Sequence, residues 1–290
     1  MCNIYCYKRG EKVLLITALI LAAIWGAIGQ YLDKHLVDME ISRNDYFYYM
    51  CLSMIPFSIM LIIIEYFINQ LRFELNFIPL FLLGLAMILR YKKQHTIVGC
   101  LKYLNPYEDS AYLSLGIVIA FFIDVVLGIE KISIFSILSI LLTLIGVFVI
   151  SDSKLKIKYL QKDLFIRIVT SLIMSYVTHF ILRYWSNAVF LLLMNLLLTL
   201  LFSRKYNLEY HNRQKKIIKW IFVQQLFGFF SLYISNYLAS NSVTLSSYVR
   251  PASIIVVVII AMFFKDKERK PKIKQILGIL LIIIGIIFLN

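Results

Sequence analysis

The segments IEKISIFSILSILLTLIGVFVI (residues 129–150) and KERKPKIKQILGILLIIIGIIFL (residues 267–289) decide how this chain is read. Each begins with charge and continues as an apolar run close to the roughly 20 residues a helix needs to cross a bilayer. Glu130 corresponds to Glu268, and Gly146 to Gly285. The stretches before them also match, CLKYLNPYEDSAYLSLGIVIAFF (residues 100–122) against YLASNSVTLSSYVRPASIIVVVIIAMFF (residues 237–264). The chain therefore divides into two related halves, residues 1–150 and 151–290, within one membrane domain.

Working outward from this pair, the apolar runs predict five helices in the first half: Val13–Leu32, Tyr46–Asn69, Phe77–Tyr103, Ala111–Gly128 and Ile132–Ile150. Five more follow at Leu164–Tyr184, Asn187–Phe202, Ile217–Ala239, Val243–Phe264 and Ile273–Leu289. The expectation is an all-α integral membrane protein of about ten transmembrane helices, built as two inverted five-helix repeats. An odd number of spans per repeat forces opposite insertion of the halves, and such repeats hold their site near the midplane where they meet.

Composition agrees with a lipid environment. Of 290 residues, 61% are hydrophobic and 16% charged, against about half and a quarter in soluble chains. The net charge of +14 sits mostly in short links between apolar runs, the pattern of loops facing anionic lipid heads. Nothing resembles a basic groove or base-reading module, so no nucleic acid partner is expected. Cys2, Cys6, Cys51 and Cys100 have neither zinc-site spacing nor the density of a disulfide framework and read as free thiols. The first run follows Lys8, Arg9 and Lys12 like a signal peptide, but with no convincing cleavage site it reads as a retained helix. No metal site, cofactor loop or nucleophile elbow is present, so neither cofactor nor enzymatic chemistry is expected.

The chain resembles the drug/metabolite transporter superfamily and, within it, the two-repeat EamA-like transporters. The resemblance rests on Trp25-Gly26, on the turn Cys100 to Tyr103, and on the run from Arg250-Pro251 through Glu268 to Gly278 and Gly285. It covers nearly the whole chain and implies a ten-helix fold with a central cavity, in a cell membrane; it implies no substrate. Two departures stand out: Leu113 lies about where the second half has Pro251, and the third run is far more charged than the family pattern.

That third run carries Arg90-Tyr91-Lys92-Lys93-Gln94-His95 in its middle. A cation at the bilayer centre costs about 2.5–3.5 kcal/mol on insertion scales, whereas an apolar residue returns only about 0.3–0.6 kcal/mol. The cluster therefore needs water, carboxylates or an anionic ligand. At 3.6 residues per turn Arg90, Lys93, Gln94 and Ile97 share one face, and Lys92, His95 and Thr96 another. Either the cluster lines a wide cavity as a substrate site, or Phe77 to Leu89 is a re-entrant half-helix followed by a loop.

The repeat partner of this face carries Gln225, Gly228, Ser231 and Ser235, a neutral polar stripe that lines a cavity or packs helices closely. Ser247, Tyr248 and Arg250 lie near it in sequence. The candidate substrate contacts are thus Arg90, Tyr91, Lys93, Gln94, Gln225, Ser231, Tyr248 and Arg250. Asp124 and His95 are candidates for proton coupling, with a salt bridge from Asp124 to Lys92 or Lys93 as its alternative role. His179 reads as a packing histidine, and Tyr46, Phe47, Tyr48 and Tyr49 as an interfacial aromatic belt.

Ten spans place the many cations of residues 154–167, 204–219 and 265–274 on the side opposite the termini. The positive-inside rule then puts both termini outside, whereas the resemblance implies termini inside; a nine-span chain would ease the conflict. Functionally the expectation is a secondary transporter moving a small polar, anionic metabolite by alternating access, with membrane lipids and protons as further partners. A flippase for a phosphate-bearing lipid or lipid-linked sugar is the alternative, and a non-transporting scaffold or transferase the third.

Overall fold

The structure, a computed structural model, describes residues 2–150, 158–203, 212–263 and 273–288. Glu268 and the link cations Lys154, Lys156, Arg204, Lys205, Lys265, Lys267, Arg269, Lys270 and Lys272 lie outside the described residues. Within them the fold is all-helical: α1 (Cys2–Asp38), α2 (Arg43–Phe67), α3 (Phe77–Leu101), α4 (Pro106–Ser114), α5 (Gly116–Val126), α6 (Ile134–Ile150), α7 (Lys158–Ile181), α8 (Asn187–Ser203), α9 (Asn212–Asn241), α10 (Val243–Ser247), α11 (Val249–Phe263) and α12 (Ile273–Ile287).

Among the described residues, six segments are long and apolar enough to cross a membrane: Val13–Asp38, Arg43–Phe67, Pro106–Val126, Gln161–Ile181, Lys215–Asn241 and Val243–Ile260. Three shorter apolar helices, Ile134–Ile150, Asn187–Ser203 and Ile273–Ile287, accompany them. The third apolar run is one unbroken helix of 25 residues, α3, rather than a half-helix and a loop.

Helix ends follow ordinary capping chemistry. Ser42 caps α2 by accepting the Asp45 N–H at 3.0 Å, and Asp45 complements the positive end of the helix. Past α2, Asn69 takes φ of 53° and ends the helix in the left-handed conformation that asparagine tolerates. Pro106 opens α4, where its missing N–H costs nothing, while Glu108 reaches back to the Asn105 N–H at 2.8 Å.

Many large apolar side chains among the described residues are exposed. Val13, Ile16, Ile20 and Ile24 form an exposed stripe on α1, and Phe77, Phe81 and Ile88 another on α3; such patches belong in lipid rather than water. Hydrophobicity does not drive helices together there, so close packing of small residues does. Thus α1 lies against α9 through Gly26 and Gly29: a Cβ on Gly29 would sit 3.4 Å from the Gly228 backbone N, and one on Gly26 would sit 2.8 Å from Ser231 Oγ.

The two segments that opened the sequence reading pack on each other as α6 and α12. A Cβ on Gly146 would lie 2.5 Å from the Gly278 carbonyl oxygen, and one on Gly285 would lie 2.9 Å from that of Ser139. Ser139 Oγ donates to the Gly285 carbonyl at 2.6 Å. Elsewhere α2 packs on α8, α3 on α7, α1 on α11 and α11 on α4. The largest apolar core joins α2, α3, α7 and α8 around Met50, Phe190, Met194 and Trp185.

Candidate functional site

A cavity of about 200 Å³ lies between the helices, with walls from α1, α3, α7, α9 and α11. Its charged lining consists of Arg90, Lys93 and Arg250 against a single carboxylate, Asp33. Helical periodicity creates the basic wall: Arg90, Lys93, Gln94 and Ile97 line the cavity, while Lys92 points away and is exposed.

Arg90 is 7% exposed. Its guanidinium donates to Met54 Sδ at 2.8 Å, and its Nε has no partner. A thioether is a weak acceptor for a group with five N–H donors. Gln94 likewise donates to Met50 Sδ and leaves its Oε1 unsatisfied. Among the described residues, Arg90, Lys93 and Arg250 make no ion pair. Arg250 and Arg90 both lie near enough to Lys93 to repel it electrostatically.

The neutral wall comes from α9 and α7. Gln225 pairs with Gln224 and leaves its own Oε1 buried and unpartnered. Ser231 donates to the Ala22 carbonyl at 2.8 Å, which ties α9 to α1 while keeping the residue on the cavity lining. Gly228, Ser235 and Ser247 line the same space.

Six of the eight substrate contacts read from sequence, Arg90, Lys93, Gln94, Gln225, Ser231 and Arg250, therefore meet at one cavity. Tyr91 does not. It turns toward Phe47 and Phe202, with ring centroids 5.3 and 5.1 Å away, and serves packing between α2, α3 and α8. Tyr248 is buried beside a smaller cavity, its hydroxyl 2.7 Å from Ser139 Oγ.

The two coupling candidates also lie off this lining. His95 is half-buried, 3.0 Å from Asn44 Oδ1, and its ring packs on Tyr91. Asp124 is fully buried. It accepts from the Tyr176 hydroxyl at 2.8 Å and the Thr244 N–H at 2.7 Å, and the Ser242 hydroxyl lies 3.1 Å from it. Its partners are hydroxyls and a backbone amide, not Lys92 or Lys93. His179 is held by the Ala239 carbonyl at 2.8 Å and by Arg183, the packing role read for it.

Sequence reasoning missed several polar residues. Asp33 lines the cavity and accepts a hydrogen bond from Tyr46, a ring assigned above to the interfacial belt. Arg167, counted above among link cations, is 2% exposed and ion-paired to Asp109 inside the protein. Gln30 accepts from Ser110 at 2.5 Å and also lines the cavity. The spacing Gly26, Gly29, Gln30, Asp33 puts small and polar groups on one face of α1 and was the available signal.

The chain matches no protein-family model and no curated protein. It is similar to a solved structure described only as "Crystal structure of protein", with a TM-score of 0.60 over 94% of this chain and 97% of that one, at 13% sequence identity. At that identity the likeness speaks for the fold alone.

Proposed function

We propose that this protein is a secondary transporter that moves a small anionic metabolite across a cell membrane by alternating access. The observation that carries the reading is the cavity wall of Arg90, Lys93 and Arg250, cations that make no ion pair among the described residues, faced by one carboxylate. Cations inside an apolar helical body cost several kcal/mol unless something compensates them, and in membrane proteins they mark substrate pathways. A carboxylate or phosphate supplies both the charge and the acceptors that Met54 cannot. The volume of about 200 Å³ is below the roughly 300–1,000 Å³ of drug-sized sites, which favours a small solute.

In this proposal the chain crosses the membrane ten times: the six long segments, the three shorter helices and α3. The two halves are inverted repeats, as in the drug/metabolite transporter superfamily that the sequence resembles. Helix pairing supports this. The register that matches Gly146 with Gly285 also matches Ser139 with Gly278, and the close approaches at the α6–α12 crossing are Gly146 with Gly278 and Ser139 with Gly285. Exchanging the halves maps each approach onto the other. The same exchange relates the packing of α1 on α9 to that of α3 on α7 and leaves α2 on α8 unchanged. Arg90 and Lys93 line an internal cavity rather than a lipid-facing surface, which favours a solute over the head group of a flipped lipid.

The test is uptake into proteoliposomes of labelled small carboxylates and phosphates. A hydrogen bond to a charged group contributes about 1.5–3 kcal/mol, so Arg90→Gln and Lys93→Gln should each lower apparent affinity by roughly 10- to 150-fold while the purified protein stays folded. Undiminished uptake by the double variant removes these residues from the site.

A further inference from the structure

A second, smaller cavity of about 110 Å³ is lined by Glu130, Ser136, Thr244 and Tyr248 together with apolar side chains. Next to it, Ser242 Oγ lies 2.7 Å from Glu130 Oε1 and 3.1 Å from Asp124 Oδ2, and accepts the Leu245 N–H at 3.1 Å. A hydroxyl has one proton. It can serve one carboxylate and must turn a lone pair toward the other. Neither Asp124 nor Glu130 has an ion-pair partner among the described residues. The nearest cation in sequence, Lys131, is exposed.

Thr244 supplies an independent pointer. It is 5% exposed, it lines the cavity, and its Oγ1 has no hydrogen-bond partner, although its backbone N–H is bound to Asp124. Two carboxylates, a shared hydroxyl and an unpartnered hydroxyl oxygen thus gather where α5, α10 and the segment after α5 meet. Tyr176 of α7 donates to Asp124 from behind, and the Tyr248 hydroxyl is occupied by Ser139. This is an all-oxygen, electronegative set, which suits a hard cation. Calcium takes six to eight oxygens and magnesium demands near-ideal octahedral geometry; a set this small and irregular suits a less exacting monovalent ion.

We propose that Asp124, Glu130, Ser242 and Thr244 form a sodium site, separate from the basic cavity. Binding of sodium stands on this geometry alone; its service as the coupling ion rests on the transporter reading. Because Ser242 caps α10 and Asp124 belongs to α5, occupancy ties these two elements together.

The experiment is thermal unfolding of the full-length purified protein in detergent, titrated with sodium chloride against choline chloride and potassium chloride at constant ionic strength and pH. Sodium should raise the midpoint by a few degrees with saturation, as a ligand of the native state does. Thr244→Val keeps the backbone bond to Asp124 and should lose the sodium-dependent rise, as should Glu130→Gln. Equal stabilisation by choline or potassium overturns the site, as does a rise of the same size in Thr244→Val. Stabilisation obtained by lowering pH alone, with no sodium effect, overturns it in favour of a proton. The rise should persist in the Arg90→Gln/Lys93→Gln protein, and its loss there would place the ion in the main cavity instead. A failed uptake assay with a retained sodium shift would sink the transporter reading and leave the ion site standing.

Discussion

Replacing Asp109 by Asn should unfold the protein at markedly lower temperature, while replacing Asp109 and Arg167 together by Leu and Met should not. The two side chains are 1% and 2% exposed and ion-paired to each other. Removing one partner of a buried pair leaves an uncompensated charge and costs about 3–5 kcal/mol, whereas exchanging both for apolar groups is often neutral or stabilising by about 1–4 kcal/mol. This pair favours the second outcome, because Asp109 Oδ2 and Arg167 Nε have no hydrogen-bond partner even with the pair intact. With roughly 2–4 °C per kcal/mol for a chain of this order of size, the single variants should lose about 6–20 °C in a thermal melt in detergent, and the double variant should lie near the wild type. A double-mutant cycle isolates the coupling. If Asp109→Asn melts with the wild type, or if the double variant falls as far as the singles combined, the pair does not hold α4 to α7 and the burial reasoning is wrong.

Gly146→Val and Gly278→Val place side chains within 2.5 and 2.7 Å of the facing backbone carbonyls; expression and melting temperature should fall sharply, by more than the roughly 1–3 kcal/mol typical of overpacking, while Gly84→Ala, with nothing within 4 Å, serves as the neutral control. Tyr46→Phe withdraws the hydroxyl that donates to Asp33 at the cavity edge and should cost about 1.5–3 kcal/mol of stability in the same melt, with apparent affinity for an anion weakened because the freed carboxylate faces the bound charge; unchanged stability and affinity would show that Tyr46 does not hold Asp33.

The all-helical class, with apolar segments long enough to span a membrane, was legible because apolar runs and their spacing are local properties of the chain. The basic face of α3 was legible for a related reason: the cost of Arg90 and Lys93 in lipid is independent of their neighbours, and helical periodicity puts them on one side. Asp33 was hidden by its flanks. Lys34 and His35 follow it, so it read as part of a wet helix end, although the face carrying Gly26, Gly29 and Gln30 pointed inward. Arg167 was misplaced because the dense cations just before it assigned the whole segment to a link, and only the fold brings Asp109 to it across 58 positions. The partners of Asp124 were out of reach likewise, since Ser242 and Thr244 lie 118 and 120 residues away. Charge against lipid can be read from one helix; compensation of that charge depends on which helices meet.

The distribution of charge over the two halves bears on how the proposed transporter would work. Arg90 and Lys93 belong to α3 in the first half, and Arg250 to α11 in the second, while the α9 face opposite α3 is neutral. Across the cavity Arg250 repels Lys93, while Asp33 and Asp109 of the first half attract Arg250. A ligand shifts a conformational equilibrium only by its differential affinity for the states. An anion between Lys93 and Arg250 supplies such a difference, because it turns the repulsion between these two cations into attraction through itself and favours whichever state brings them closest. A neutral solute of the same size relieves nothing. Arg250→Gln should then weaken anion-dependent closure as well as binding, whereas a purely local binding role would lower affinity and leave the closed conformation equally populated at saturation.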